Sequence, residues 1–328
     1  MPLVIEVGRF GGPEVLTAAT VPGLVPGPGQ AVISVGAADV GFIDTLIRSG
    51  RATQWFPLRP PYVPGGGVAG EVASVGEGAD PDWAGRRVVA HTGGGGGSGG
   101  YAEQAAVDSG RLVPVPDGVG LQTAVTALHD GATALGLMAT TGVRPGERVL
   151  IMGAAGGMGL LLIQLARAAG GHVIGAARGA PKLGLIRGLS AEAAIDYTDP
   201  DWREQAVEAS GGDGPDVVFD GVGGALGRDA FEITAPGGRF SAHGAASGGF
   251  ALIGPDQPER RGVTVRGIEQ VQFAPGEHET FTGRALAELS AGRMKPVIGE
   301  AFPLVRAADA HAALEARTAI GKTLLSVP

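Results

Sequence analysis

The sequence predicts an α/β protein in two parts, a β-rich unit and a doubly wound parallel sheet. Three observations carry that reading. The first ~120 residues hold short apolar runs punctuated by glycine and proline at hairpin-like spacing. From about Gln122 onward, β-branched runs alternate with helical stretches, the pattern of a parallel sheet with crossover helices. Within that second part, "MGAAGGMG" joins an apolar strand to an apolar helix. At 328 residues the chain exceeds what one hydrophobic core usually organises, so two domains are expected.

Taken in order, "LVIEVGRF", "QAVISVGAADV", "VAGEVASVGEGAD", "GRRVVAHT" and "GYAEQAAV" read as strands. Between them, Asp39 to Ser49 reads as a helix. Phe42, Leu46 and Ile47 recur at helical spacing, Asp39 is the expected cap, and Gly50 ends it. Gly93 to Gly100 is low-complexity and reads either as an inert surface loop or as a lid over a cleft. "LQTAVTALHDGATALGLMAT" reads as one helix. The strands "VLIMG", "HVIGAA", "AAIDY", "DVVFDGVG", "GRFSAHG" and "VTVRGI" then alternate with helices. The tail holds the helix "ETFTGRALAELSAGRM", a strand, the helix "AADAHAALEAR" and a last strand "KTLLSV".

Composition narrows the function classes. A formal net charge of −8 repels nucleic acid and anionic lipid, so neither is expected as a partner. Cysteine is absent, which removes disulfides, thiolate metal ligands and cysteine nucleophiles. The six histidines have no paired spacing, so no metal site is expected. The start "MPLVIEVGRF" lacks the basic and long apolar regions of a signal peptide, and a cytoplasmic protein is the expectation.

Val149 to Ala166 is uncharged and reaches the ~18 residues of a membrane span, but four glycines and Gln164 interrupt it. A structural βα unit and a dinucleotide cradle are the other readings, and the physics favours the cradle. In the turn Ala154, Ala155, Gly156, Gly157, Met158 and Gly159, Gly156 lets the backbone approach a pyrophosphate. Gly159 lets the helix pack on the strand, and the helix N-terminus faces the phosphates. Ala154 stands where the common fingerprint has its first glycine. The next strand, His172 to Ala177, ends without the acid that binds a ribose 2′-hydroxyl. Arg178 and Lys182 stand there, so NADPH is expected in preference to NADH. The alternative is two solvated charges opening a helix.

With these residues in view, the chain resembles the zinc-independent medium-chain dehydrogenase/reductases, in their quinone oxidoreductase (zeta-crystallin-like) branch. The resemblance rests on "GGPEVL", "DVGFIDTLIRSG", "YVPGGGVAGEVASVGEG", "GGYAEQ", "HDGATAL", "VLIMGAAGGMGLLLIQLARAAGGHVIGAAR", "AAIDY", "DVVFDGVGG" and "IGKTLLSVP". It implies a Rossmann domain over 123–269, inserted into a GroES-like β-rich catalytic domain built from 1–122 and 270–328. It also implies a homodimer paired through "GVTVRGI". Besides the turn and Lys182, it implies Tyr197 and Arg317 at a 2′-phosphate, Thr133 near the nicotinamide, and Gly244 and Ser247 in a loop along the cofactor. Three departures stand out: Gly41 replaces an asparagine, Leu46 a tyrosine and Gly67 an acid. They imply a wider, less polar substrate cleft and a bulky apolar substrate.

The chemistry so implied is hydride transfer from NADPH to a conjugated acceptor, a quinone or an α,β-unsaturated carbonyl, followed by protonation. The candidate catalytic residues are His129 and Asp130, either of which would give the proton, and Asp44. Asp44 reads first as the partner of Arg48, four residues on in the same helix. Two alternatives stay open: a tailoring enoyl reductase or reductive cyclase of a natural-product pathway, and a non-catalytic NADPH-binding sensor.

Overall fold

The computed structural model describes residues 1–93, 99–274 and 276–328. The middle of the glycine-rich stretch read as a loop or lid, 94–98, lies outside the described residues. The chain forms two compact units, Met1–Ala132 with Gly276–Pro328, and Thr133–Pro275. The change of pattern near Gln122 assigns 123–132 and 270–275 otherwise: the first group clusters with the first unit and the second with the second unit. Hydrophobic periodicity cannot register which body a helix turn packs on.

The first unit opens with β1 (Leu3–Val7) and β2 (Leu16–Thr20), an antiparallel pair. There follow β3 (Gln30–Val40), α1 (Phe42–Arg48), β4 (Gly67–Val75), β5 (Arg87–His91), β6 (Gln104–Asp108), β7 (Val113–Pro114) and α2 (Leu121–Val125). β3 is the spine. One edge pairs with β4, and the other is shared by β6 at its start and by the last strand of the chain at its end. Two register shifts against β4, at Val32/Ile33 and Val35/Ala37, bend β3. Asp39, expected to cap a helix, is inside this strand, and α1 starts only after Gly41.

The expected helix over 121–140 is broken. After α2, Ala127–Gly131 is a π-helical turn, with the Gly131 N–H donating to Thr126 O at 2.9 Å. The extra residue in the turn sends Asp130 inward and leaves His129 exposed.

The second unit runs α3 (Ala132–Thr141), β8 (Arg148–Met152), α4 (Gly157–Ala168), β9 (His172–Ala177), α5 (Ala180–Gly188), β10 (Ala193–Asp196) and α6 (Trp202–Ala209). It continues with β11 (Val217–Asp220), α7 (Gly224–Glu232), β12 (Arg239–Ala242), α8 (Gln257–Arg261) and β13 (Thr264–Arg266). The sheet is parallel, in the order β10-β9-β8-β11-β12-β13. Strand order reverses between β8 and β11, so a crevice opens beyond their carboxyl ends. Leu150, Met152, Ile174, Val218, Phe231 and Phe240 form the core under one face. No described helix is long and apolar enough to cross a membrane.

The chain returns to the first unit with α9 (Glu277–Ser290), β14 (Ile298–Pro303), α10 (Ala307–Glu315) and β15 (Lys322–Ser326). β15 runs antiparallel to the end of β3, with Leu324 opposite Asp39. The resulting sheet has the order β14-β15-β3-β4-β5-β7. Burying side chains such as Val68, Val88 and Leu325 beneath it stabilises the unit by roughly 1.5–3 kcal/mol each.

β3 and β4 approach so closely that a Cβ on Gly70 would lie 2.0 Å from the Ser34 carbonyl oxygen. Gly70→Ala must part the two central strands and is expected to cost about 1–3 kcal/mol or more in denaturant unfolding. Gly66→Ala, where a Cβ meets nothing within 4 Å, is expected to change little.

Candidate active site

In the second unit the turn after β8 is built on Gly153, whose φ of 73° is open to glycine and strained for other residues. The tight-turn role therefore belongs to Gly153, one residue before Ala154, which is buried with Ala155 under the turn. Gly156 caps α4 with no side-chain hydrogen bond, leaving the first N–H groups of the helix facing outward. Gly157, Met158 and Gly159 form the first turn of α4. A Cβ on Gly159 would lie 2.6 Å from Gly153 O, so only glycine lets the helix sit against the turn. This cradle suits a pyrophosphate: donors, dipole and bare backbone converge at the switch point. The uncharged stretch is thus strand, turn and a 12-residue helix.

Beside the cradle, β10 lies against β9 with Asp196 opposite Ala177, and the Tyr197 N–H donates to Ala177 O at 3.3 Å. That register gathers Arg178, exposed after β9, Lys182 in the first turn of α5, and Tyr197. Asp196, unremarked in the sequence, accepts from the Gly179 N–H at 2.8 Å and from Thr198. Its partial burial is outweighed by these hydrogen bonds and by Arg178, which hold its carboxyl below the usual range. The signal was an acid at a strand end, one strand further along than the fingerprint puts it.

The loops after β11 and β12 interlock at the same edge. Gly244 packs on Gly221, where a Cβ would fall 2.2 Å from its carbonyl, and the Ser247 N–H donates to Val222 O at 2.8 Å. Asp220 accepts from the Val222 and Gly223 N–H groups at 2.9 and 2.8 Å, while burial pushes its carboxyl up to about 6. His243 contacts Ser241 Oγ through Nδ1 at 3.1 Å, and burial pulls it down to about 4. Neither was singled out from sequence, since an isolated Asp or His in an apolar run has no diagnostic spacing. Thr133 is buried in the first turn of α3.

The first unit holds Gly41, Asp44, Leu46, Gly67, His129, Asp130 and Arg317. Arg317 has its guanidinium 4.1 Å above the Phe42 ring and a φ of 59°. Asp44 does not pair with Arg48. It accepts the Gly41 N–H at 2.8 Å, closing the start of α1, while the fully buried Arg48 reaches across to Glu315 of α10. Asp44 also hydrogen-bonds Tyr101, whose buried hydroxyl lies 2.9 Å from His311 Nε2. Burial, with Asp39 adding to it, pushes the Asp44 carboxyl up to about 7. The expected widening at Gly67 is not there. The position is buried, and a Cβ would lie 2.8 Å from Leu128 Cδ1, so Leu128 fills the space.

Lys322 is buried between two acids. Its ammonium contacts Asp39 and lies 3.4 Å from Asp130. Burial opposes its charge, yet Asp130 and Asp39 hold it above the usual lysine range. Asp130, a candidate proton donor by sequence, is thus the carboxylate of a buried ion pair. His129, the other candidate, stands exposed and adds to the field on a histidine pair below it. In that pair, His91 and His278 pack edge to face at 4.1 Å, and His91 Nδ1 contacts Gly66 O at 3.0 Å. Among the described residues no three His, Cys, Asp or Glu converge to hold a metal ion.

Comparison with known proteins fits both units. The first matches the alcohol dehydrogenase GroES-like domain over residues 27–117, and residues 157–290 match the zinc-binding dehydrogenase domain. The chain is similar to rat (Rattus norvegicus) quinone oxidoreductase, 32% identical over 94% of this chain and 92% of that one. It is 30% identical to a 2-haloacrylate reductase of a Burkholderia species, over 99% of each. The structure of Escherichia coli quinone oxidoreductase complexed with NADPH superposes with a TM-score of 0.90 at 27% identity, over 99% of each chain. The chain belongs to the quinone oxidoreductase branch of the medium-chain dehydrogenase/reductases, with a Rossmann-type and a GroES-like unit.

Two outcomes follow from this geometry. Lys322→Met leaves Asp39 and Asp130 buried without their cation, and is expected to lower unfolding free energy by about 3–5 kcal/mol. Burial holds His91 near 4 and His311 near 3, against 6.5 for a free imidazole. Both favour the neutral form in the fold, so stability is full above about 6.5 and is lost as pH falls through the folded values. His91→Asn is expected to flatten the dependence of Tm on pH across that window.

Proposed function

We propose that the chain is an NADPH-dependent reductase of a conjugated acceptor, a quinone or an α,β-unsaturated carbonyl, with NADPH preferred over NADH. The observation that carries the reading is the cradle of Gly153, Gly156 and Gly159 beside Arg178, Lys182 and Tyr197. The turn would hold the pyrophosphate, and the two cations with the tyrosine would hold a 2′-phosphate. Thr133, Gly244 and Ser247 would line the nicotinamide half, and Arg317 is a further candidate for the phosphate. Bound NADPH supplies a hydride. The E. coli relative's NADPH and the Burkholderia relative's haloacrylate, itself a conjugated acid, support the two halves of the reading.

The acceptor is read as activated by its own conjugation, since the chain has no cysteine to serve as a metal ligand. Gly41 and the apolar, partly exposed Leu46 favour a bulky, apolar acceptor. We further read the protein as a cytoplasmic homodimer paired along β13, one of the two edge strands of the parallel sheet among the described residues.

Fluorescence titration with both dinucleotides tests the cofactor. Removing Arg178 and Lys182 together by alanine is expected to weaken NADPH binding by about 10- to 100-fold and leave NADH within about twofold. Equal wild-type affinities for the two dinucleotides refute the preference. NADPH oxidation against small quinones, 2-enones of increasing bulk and enoyl thioesters tests the acceptor. Tight binding with no turnover across that panel would favour a non-catalytic role.

A further inference from the structure

The side chains proposed to hold a 2′-phosphate stand on two separate segments, and one carboxylate ties those segments together. Arg178 precedes Gly179, and Lys182 follows it by three residues. The φ of Gly179 is 85°, a conformation that other residues rarely adopt. Glycine permits the turn and also leaves it loose, because its backbone has the most freedom to lose. Asp196 closes it. From the end of β10, in register with Ala177 of β9, its Oδ2 accepts the Gly179 N–H at 2.8 Å. Its Oδ1 accepts the Thr198 N–H at 2.9 Å and the Thr198 hydroxyl at 2.6 Å. Gly179 O in turn accepts the Lys182 N–H at 3.1 Å.

Arg178, Lys182 and Tyr197 are thereby each held close to the same carboxyl group. Arg178 is joined along the chain to Gly179, and Lys182 is hydrogen-bonded to it. Tyr197 lies between Asp196 and Thr198, with its own N–H on Ala177 O. An acid at a strand end is ordinarily the group that accepts a ribose 2′-hydroxyl, which favours NADH. Here its oxygens already take three donors from the protein, and the Arg178 charge acts on it as well. We propose that Asp196 is a positioning residue for dinucleotide selection, holding Arg178, Lys182 and Tyr197 in one arrangement ready for a 2′-phosphate. This rests on the NADPH reading above and names the residue on which that preference depends.

A carboxylate suits this tie and the matching amide does not. Both segments present backbone N–H donors, whereas an amide has one acceptor oxygen and an NH2 group on its other side. An asparagine oxygen turned to Gly179 sets the NH2 group against the Thr198 N–H. Turned to Thr198, it sets that group against the Gly179 N–H. Without the tie, two long cationic side chains on a loose turn must be ordered when the phosphate arrives, and affinity falls by that entropy. The charge of Asp196 acts in the opposite sense. An anion beside a phosphate repels it, so charge alone would make neutralised Asp196 bind the phosphate more tightly. The sign of the change separates positioning from plain electrostatics.

Asp196→Asn is the test, read by calorimetric titration of the whole chain with 2′,5′-ADP and with 5′-AMP, which differ only in the 2′-phosphate. The Kd for 2′,5′-ADP is expected to rise about tenfold, and that for 5′-AMP to stay within about twofold. In a chain already carrying Arg178→Ala and Lys182→Ala, adding Asp196→Asn should change the 2′,5′-ADP Kd by less than about threefold, because Asp196 acts through those side chains. A merely structural loss would weaken both nucleotides in either background. Unchanged or tighter binding of 2′,5′-ADP by Asp196→Asn overturns the positioning role and leaves the NADPH reading standing. Equal weakening of both nucleotides overturns the role as well, since Asp196 then serves the ribose or the fold. Equal wild-type affinities for the two nucleotides overturn the NADPH preference, and the role of Asp196 with it.

Discussion

Lys322 carries its charge into the interior of the first unit, and stretches of chain far apart in sequence meet on it. Asp39 comes from the end of β3, Asp130 from the π-helical turn, and Lys322 itself from the first residue of β15. Each of those segments could satisfy its backbone in other registers. A buried ammonium has few ways to be satisfied, and here it has two carboxylates on two different elements. An ion pair of this kind adds little net stability over an apolar replacement, but breaking one side of it is costly. Its value is in fixing which strand end lies beside which turn.

That commitment of charge sets the chemistry next to it. Once Lys322 and Arg48 are taken, the remaining acid beneath α1 has only neutral hydrogen-bond partners. The same arrangement explains why the turn at Ala127–Gly131 is π-helical. A regular helix through this segment would rotate Asp130 away from the ammonium, whereas one extra residue in the turn brings it round and leaves the neighbouring His129 on the outside. Packing and charge agree at this point, since Gly131 also lets the turn approach Ala285, where a Cβ would come within 2.9 Å.

The second unit depends on backbone more than on charge. Its edge loops are knitted by glycines at close approach, Gly153 and Gly159 within one turn and Gly221 with Gly244 between two. Such contacts leave N–H groups and bare backbone facing a common crevice. A dinucleotide placed there would meet mostly groups that every residue carries, and the side chains beside the crevice, Arg178, Lys182 and Tyr197, are few and peripheral.

The sequence by itself determined the two-part organisation, the alternation of strand and helix in the second part, and the glycine cradle with its two cations. All of these are local: a periodicity, a turn requiring glycine, a charge within a few residues of a strand end. It also carried the family, because several short motifs recur together along the whole chain. Tertiary structure decided the rest. That Asp39 lies in a strand, that Arg48 turns from Asp44 to Glu315, that Leu128 fills the space at Gly67, and that a π-helical turn interrupts the helix after Leu121 all depend on partners far away in the sequence. Charge balance in a buried cluster is a sum over such partners. No window of sequence contains that sum, and so the upward push on the Asp44 carboxyl became readable only when the fold had brought its neighbours together.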